Sequence, residues 1–183
     1  HHDTFLHPDA IRSLRRSLRL IDDSFRANPE ANRLFLEMLT GKVNPEASLR
    51  RMNEAGVIGR LIPAFQHVVG MTQFNMYHHY TVDEHLIRTV GQLSYIERGE
   101  AGEQLPLSLE IFPTIKNRKL LYVAAFLHDI GKGRPEDHSI LGARIAREVC
   151  PQLGLTASET DTVAWLIEHH LTMSTIAQTR DIT

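Results

Sequence analysis

An all-α fold is predicted by three observations. Apolar residues recur at helical spacing in one segment after another, no stretch alternates apolar and polar residues as a half-buried strand does, and capping residues stand before several of the periodic segments. The 183 residues suffice for one domain with a real core, or for one domain plus a helical extension, and 42% hydrophobic with 23% charged residues is an ordinary globular composition. The division expected is an N-terminal helical extension over 1–44 and a helical bundle over 45–183.

Asp9 to Ile21 is the first helix, with Ile11, Leu14, Leu18 and Ile21 on one face and Arg12, Arg15, Arg16 and Arg19 on a solvated one. Asn28-Pro29 breaks it. Leu34, Phe35, Met38 and Leu39 belong to a second helix ended by Gly41. Asn44-Pro45 pairs a cap with a first-turn proline and opens a third, which Gly56 closes. Val57 to Phe65 is a short apolar helix broken by Pro63, and His67 to Tyr80 is a loop. Thr81 and Glu84 form a capping box before a helix faced by Leu86, Ile87, Val90, Leu93 and Ile96. Arg98 to Asn117 is loop-like. The central helix, Leu120 to Leu127, is apolar all round and therefore buried, with Gly131 in the left-handed conformation that closes a helix. His138 opens a helix striped by Leu141, Ile145 and Val149 and stopped by Pro151. Thr156 and Glu159 form a second capping box, before a helix that ends at His169-His170.

Composition removes several functions. A formal charge of −2 supplies no basic face for nucleic acid, and no run of about 18 apolar residues exists to span a membrane. No signal peptide is visible. The single Cys150 excludes an internal disulfide and fits a reducing cytoplasm. The chain starts His1-His2 without Met, read as a tag remnant, and stops at Arg180-Asp181-Ile182-Thr183 without a helix stop, so a piece of a longer protein is expected.

The 11 histidines are the anomaly, and they gather at helix ends: His85, His128 beside Asp129, His138, and His169 with His170. Each has an ordinary structural reading on its own, as a cap, a turn residue or a favourable charge at a helix C-terminus. Together they surround a His-Asp pair at the end of a buried helix, where a charge is costly unless paired or bound to metal. Imidazole and carboxylate suit borderline divalent metals, and a bundle brings ligands from separate helices together. Two His and an Asp would bind one ion; five His and an Asp could bind two. Such a pair of ions suits hydrolysis of a phosphate ester.

The order His85, FLHDIGK (Phe126 to Lys132), HSILGA (His138 to Ala143) and IEHH (Ile167 to His170) resembles the HD superfamily of metal-dependent phosphohydrolases. MNEAGVIGRLIPAF (Met52 to Phe65), YHHYTVDEH (Tyr77 to His85), HDIGKGRPEDHSILGA (His128 to Ala143) and HHLTMSTIAQTRDI (His169 to Ile182) look like the central HD domain of the bifunctional uridylyltransferase/uridylyl-removing enzymes. The resemblance covers most of residues 45–183 and is weak over the first 44. It implies an HD-domain helical bundle that hydrolyses the UMP-tyrosine phosphodiester on the PII signalling protein with Mg²⁺ or Mn²⁺, in one or two ions. Glutamine would be sensed by domains absent from this chain.

The resemblance also implies roles. His85, His128 and Asp129 match the shared metal ligands, and His138, His169 and His170 the additional histidines of two-metal members. Lys132 matches a lysine that neutralises phosphate or positions water. His78 is implied as general acid for the tyrosyl leaving group, whereas His79 is incidental. The family's further Asp ligand is expected beyond Thr183, Asp181 being a poor substitute. No nucleotidyltransferase signature is present. Two alternatives stay open: an HD hydrolase of a free nucleotide, and a noncatalytic helical module that docks a partner or couples signals.

Overall fold

The computed structural model describes residues 8–72 and 80–179, and no strand occurs among them. The chain opens with α1 (Pro8–Ser17), continued by a 3-10 turn at Leu18–Leu20, then a short α2 (Asp23–Arg26) capped by Asp22. Asn28 begins α3 (Pro29–Leu39): its side chain accepts from the backbone N–H of Glu30 and Ala31, and Pro29 has no N–H to leave unsatisfied. Asn44 does the same for α4 (Pro45–Glu54), accepting from Ala47, and adopts the left-handed conformation that Asn tolerates (φ 46°). Gly56 closes α4 in the left-handed region (φ 82°). Then come α5 (Val57–Leu61) and α6 (Pro63–Gln66), split where Pro63 interrupts the hydrogen-bond ladder, and the long α7 (Val82–Glu97).

Two boundary expectations change. The 98–117 segment is not simply loop: it holds α8 (Pro106–Ile111), flanked by 3-10 turns at Gly102–Gln104 and Phe112–Thr114, because Pro106 starts a helix as well as it ends one and Phe112 packs on the core. Pro151 does not stop its helix. After α9 (Arg118–Leu127), α10 (His138–Gln152) runs one residue past the proline, which forfeits its own ladder bond while Leu153 N–H still reaches the Val149 carbonyl at 3.1 Å. The chain continues through α11 (Ala157–Glu168) to α12 (Thr172–Thr179).

The core is organised on α9, which packs against α7 on one side and α11 on the other, while α10 lies along α11 and α4 along α7. Tyr122, Val123, Phe126 and Leu127 are fully buried, as an all-apolar helix requires. Phe126 stacks on Phe65 (ring centroids 5.1 Å apart, interplanar angle 11°) and meets Phe35 edge-on at 5.8 Å. Phe35 of α3 and Phe65 of α6 thus share one core with α9, so helices from both halves of the chain hold the central helix. The end of α9 opposite the histidines is fixed by polar groups: Glu97 accepts from Tyr122 at 2.7 Å and from Arg118 at 2.5 Å. Burial, reinforced by the Glu97 carboxylate, pushes the Tyr122 phenol up to about 12.

Candidate metal centre

The C-terminus of α9 delivers the central pair. His128 is the C-cap residue of α9, and Asp129 follows it into the turn, 2% exposed. The turn is tight: Ile130 N–H bonds Leu127 O at 3.0 Å and Lys132 N–H bonds Asp129 O at 3.1 Å. Gly131 does not adopt the left-handed conformation expected of it; Gly133 does, at φ 78°. What Gly131 supplies is thinness, since a Cβ there would lie 2.3 Å from the His138 carbonyl oxygen. Asp137 then caps α10, accepting from Ser139 and Ile140 N–H, and the helix presents His138 in its first turn. His85 comes from the first turn of α7, and His170 from just beyond α11.

These side chains converge on both oxygens of one carboxylate. Asp129 Oδ2 lies 3.6 Å from His85 Nε2, 3.5 Å from His128 Nε2 and 2.7 Å from Lys132 Nζ. Asp129 Oδ1 lies 3.6 Å from both His138 Nε2 and His170 Nε2. Two groups result, His85–His128–Asp129 and Asp129–His138–His170, each with its potential ligand atoms within 4.8 Å of one another. They share Asp129.

Hydrogen bonding sets the tautomers. His128 Nδ1 lies 2.8 Å from the Ala125 carbonyl and His170 Nδ1 lies 2.7 Å from the Ile167 carbonyl. A carbonyl only accepts, so Nδ1 carries a proton in both rings and Nε2 is the atom turned toward Asp129, the one that would ligate an ion after giving up any proton it holds. His85 Nε2 and His128 Nε2 face each other at 3.1 Å, about the separation of two ligands each roughly 2.1 Å from one ion.

The electrostatics agree with a cation site. Burial alone would push the Asp129 carboxyl up; the imidazoles of His128 and His170 and the Lys132 ammonium outweigh it and hold the carboxyl far below the usual range. Burial lowers His138, keeping it neutral and able to ligate. Burial would lower His170 too, but Asp129 and the Ile167 carbonyl more than offset it, and its pKa is raised. Asp129 Oδ1 and His138 Nε2 are buried without a hydrogen-bond partner. Buried acceptors are costly to leave unsatisfied, and a cation lying between them removes that cost. The residues present therefore fit divalent metal.

The structure brings His170, but not His169, into the two groups. His169 is the C-cap residue of α11 and His170 lies in the turn that follows, where the two side chains are held by different partners. His169 is exposed, its Nδ1 is 3.0 Å from the Trp165 carbonyl, and its ring stacks on the Trp165 indole at 4.7 Å. His169→Ala is expected to change Mn²⁺ affinity less than twofold, while His170→Ala weakens it by about tenfold or more, which calorimetric titration of the two variants measures. His78, His79 and Asp181 lie outside the described residues.

Residues 82–183, more than half of the chain, match the HD domain, and residues 1–61 match the uridylyltransferase GlnD third domain. The chain belongs to the HD domain family. The two matches together correspond to the HD domain of a GlnD uridylyltransferase/uridylyl-removing enzyme, and the HD domain makes this a metal-dependent phosphohydrolase. HD domains bind divalent metals, and all five residues of the two convergent groups lie within the HD match. No helix among the described residues is long and apolar enough to cross a membrane.

Sequence reading missed one element of the arrangement. The capping box read at Thr81 and Glu84 does not form: Thr81 makes no side-chain cap, and the Glu84 carboxylate that would reach back to the Thr81 N–H is taken by Arg50 of α4 at 2.5 Å. No local pattern signals a partner 34 residues away.

Proposed function

We propose that this HD domain removes UMP from a uridylylated tyrosine of the PII signalling protein, using Mg²⁺ or Mn²⁺ in one or two ions. The observation that carries this reading is a single carboxylate shared by two imidazole pairs, in a chain whose first third matches the uridylyltransferase GlnD third domain. His85, His128 and Asp129 would hold one ion, and Asp129, His138 and His170 a second. Bound metal would supply an activated water and neutralise charge on the phosphodiester oxygens. The domain division taken with this reading is a helical extension over 1–44 and the hydrolase over 45–183, and the single free thiol, Cys150, supports a cytoplasmic setting.

The chain's own residues do the rest. Asp129 and the carbonyls of Ala125 and Ile167 orient the imidazoles, so little reorganisation accompanies the reaction. Lys132, 2.7 Å from Asp129, adds positive charge that attracts and orients a phosphodiester. His78 is assigned the role of proton donor to the tyrosyl oxygen on the motif that contains it.

The test is release of UMP from uridylylated PII by the full-length protein with Mn²⁺ or Mg²⁺. Release that His128→Ala abolishes is the expected result. Hydrolysis of a free nucleotide with no release from PII would instead make the domain a nucleotide hydrolase. Regulation and PII binding unchanged by His128→Ala, with no release from either substrate, would make it a docking module.

A further inference from the structure

Asp83 is 6% exposed in the first turn of α7, two residues before His85, and is rarely a residue to bury without purpose. Both of its oxygens are engaged. Oδ2 accepts from the Asn53 amide of α4 at 2.7 Å, and Oδ1 accepts from the Gly70 backbone N–H at 3.1 Å. The next residue, Glu84, accepts from Arg50 of α4 at 2.5 Å, and Arg50 also donates to Glu46 at 2.8 Å. About two turns further along, Gly91 lies so close to Glu46 that a Cβ would stand 2.0 Å from the carboxylate. Two hydrogen-bonded ties thus fasten the first turn of α7 to α4, and the Asp83 carboxylate is more buried than that of Glu84.

The ties cross from one matched region to the other. Asn53, Arg50 and Glu46 lie within the match to the GlnD third domain, whereas Asp83, Glu84 and His85 lie within the HD match. Apolar packing of Val82, Leu86, Ile87 and Val90 holds α7 on the core, but such packing is non-directional and specifies small rotations of the first turn less sharply than a hydrogen bond does. Hydrogen bonds to a buried carboxylate are directional. They fix the azimuth of the first turn, and with it the direction in which His85 projects.

We propose that Asp83 is a positioning residue for the metal centre: held by Asn53 and Gly70, it aims His85 at Asp129, so that α4 influences the metal affinity of the centre. The inference rests on His85 being a metal ligand, as argued above.

The experiment measures Mn²⁺ affinity by calorimetric titration, UMP release, and the thermal midpoint of the metal-free protein, all on the full-length chain. Asp83→Ala and Asn53→Ala are each expected to weaken Mn²⁺ binding about tenfold or more, as loss of a ligand-orienting partner does. Asn53→Asp sets two carboxylates against each other and is expected to weaken it further. Adding Asp83→Asn to Asn53→Asp reverses donor and acceptor, keeps an oxygen for Gly70, and restores binding to within about threefold of the wild type. A purely structural role predicts a lower thermal midpoint with unchanged affinity in the folded variants, and that result overturns the proposal. So does an exchanged pair that binds Mn²⁺ no better than Asn53→Asp alone. Should Asp83→Ala fail to fold, Asn53→Ala and the exchanged pair still decide. His85→Ala is the control: if it leaves Mn²⁺ affinity unchanged, the assignment of the metal centre fails, whereas a loss with His85→Ala and none with Asn53→Ala or Asp83→Ala fails this proposal alone.

Discussion

Asp129→Asn is expected to disable both metal-binding groups with one substitution. Oδ2 faces His85 and His128, and Oδ1 faces His138 and His170, so no other side chain belongs to both groups. A carboxamide offers one neutral oxygen in place of two charged ones, and at least one group receives an amide nitrogen that cannot ligate. If the proposed function holds, loss of Lewis-acid stabilisation worth several kcal/mol is expected to lower UMP release by about three orders of magnitude or more. The metal-free protein suffers as well. Lys132, partly buried and 2.7 Å from the carboxylate, no longer faces a negative charge there, a change that costs about 1–3 kcal/mol. Two measurements separate these effects: urea unfolding in EDTA reads the second, and the rise in thermal midpoint on adding Mn²⁺, present in wild type and absent in the variant, reads the first. His138→Ala is the contrast, removing one imidazole from one group and leaving His85, His128 and Asp129 in place.

What could be read from the sequence divides along a physical line. Signals that act within one turn of helix were legible. The Asn28-Pro29 and Asn44-Pro45 starts, the left-handed Gly56 and the Thr156–Glu159 capping box are all present, because cap and partner are three residues apart. The burial of the 120–127 helix was legible too, since no polar face was available to turn outward. Signals that depend on a distant competitor were not. Thr81–Glu84 has the same pattern as Thr156–Glu159, yet only the latter closes. Glu84 faces Arg50 across the α4–α7 contact, whereas Glu159 meets Lys119 at 2.8 Å with one oxygen and keeps the other for the Thr156 N–H at 2.9 Å. The histidines behave likewise. Their clustering at helix ends pointed to a shared site, but which of His169 and His170 faces Asp129 is decided by the turn that ends α11, where His170 Nδ1 is held by the Ile167 carbonyl and the His169 ring lies on Trp165. Asp83 shows the limit most plainly, because its two partners lie 30 and 13 residues away.

Phe126→Ala is expected to give the largest loss of stability with the least direct damage to the metal ligands. The ring is fully buried between Phe65, stacked at 5.1 Å, and Phe35, edge-on at 5.8 Å. Truncation removes the transfer energy of the ring and leaves a cavity walled by side chains from α3, α6 and α9, which cannot all collapse inward together; about 3–5 kcal/mol is the usual cost. Phe126→Leu fills most of that space and is expected to cost about 1–2 kcal/mol, losing chiefly the aromatic contacts. The substitution lies two residues before His128, so its effect on metal is informative. His128 is held by its own bond to the Ala125 carbonyl, which Phe126→Ala does not touch. Folded Phe126→Ala is therefore expected to bind Mn²⁺ within about threefold of wild type while its urea midpoint falls steeply. Asn53→Ala is expected to lower both, because it leaves a buried carboxylate oxygen of Asp83 without its donor at a cost of about 1–3 kcal/mol and also loosens the aim of His85. A core that only supports the centre and a buried tie that aims it are thus told apart by the affinity of the folded variants, unchanged in the first and reduced in the second.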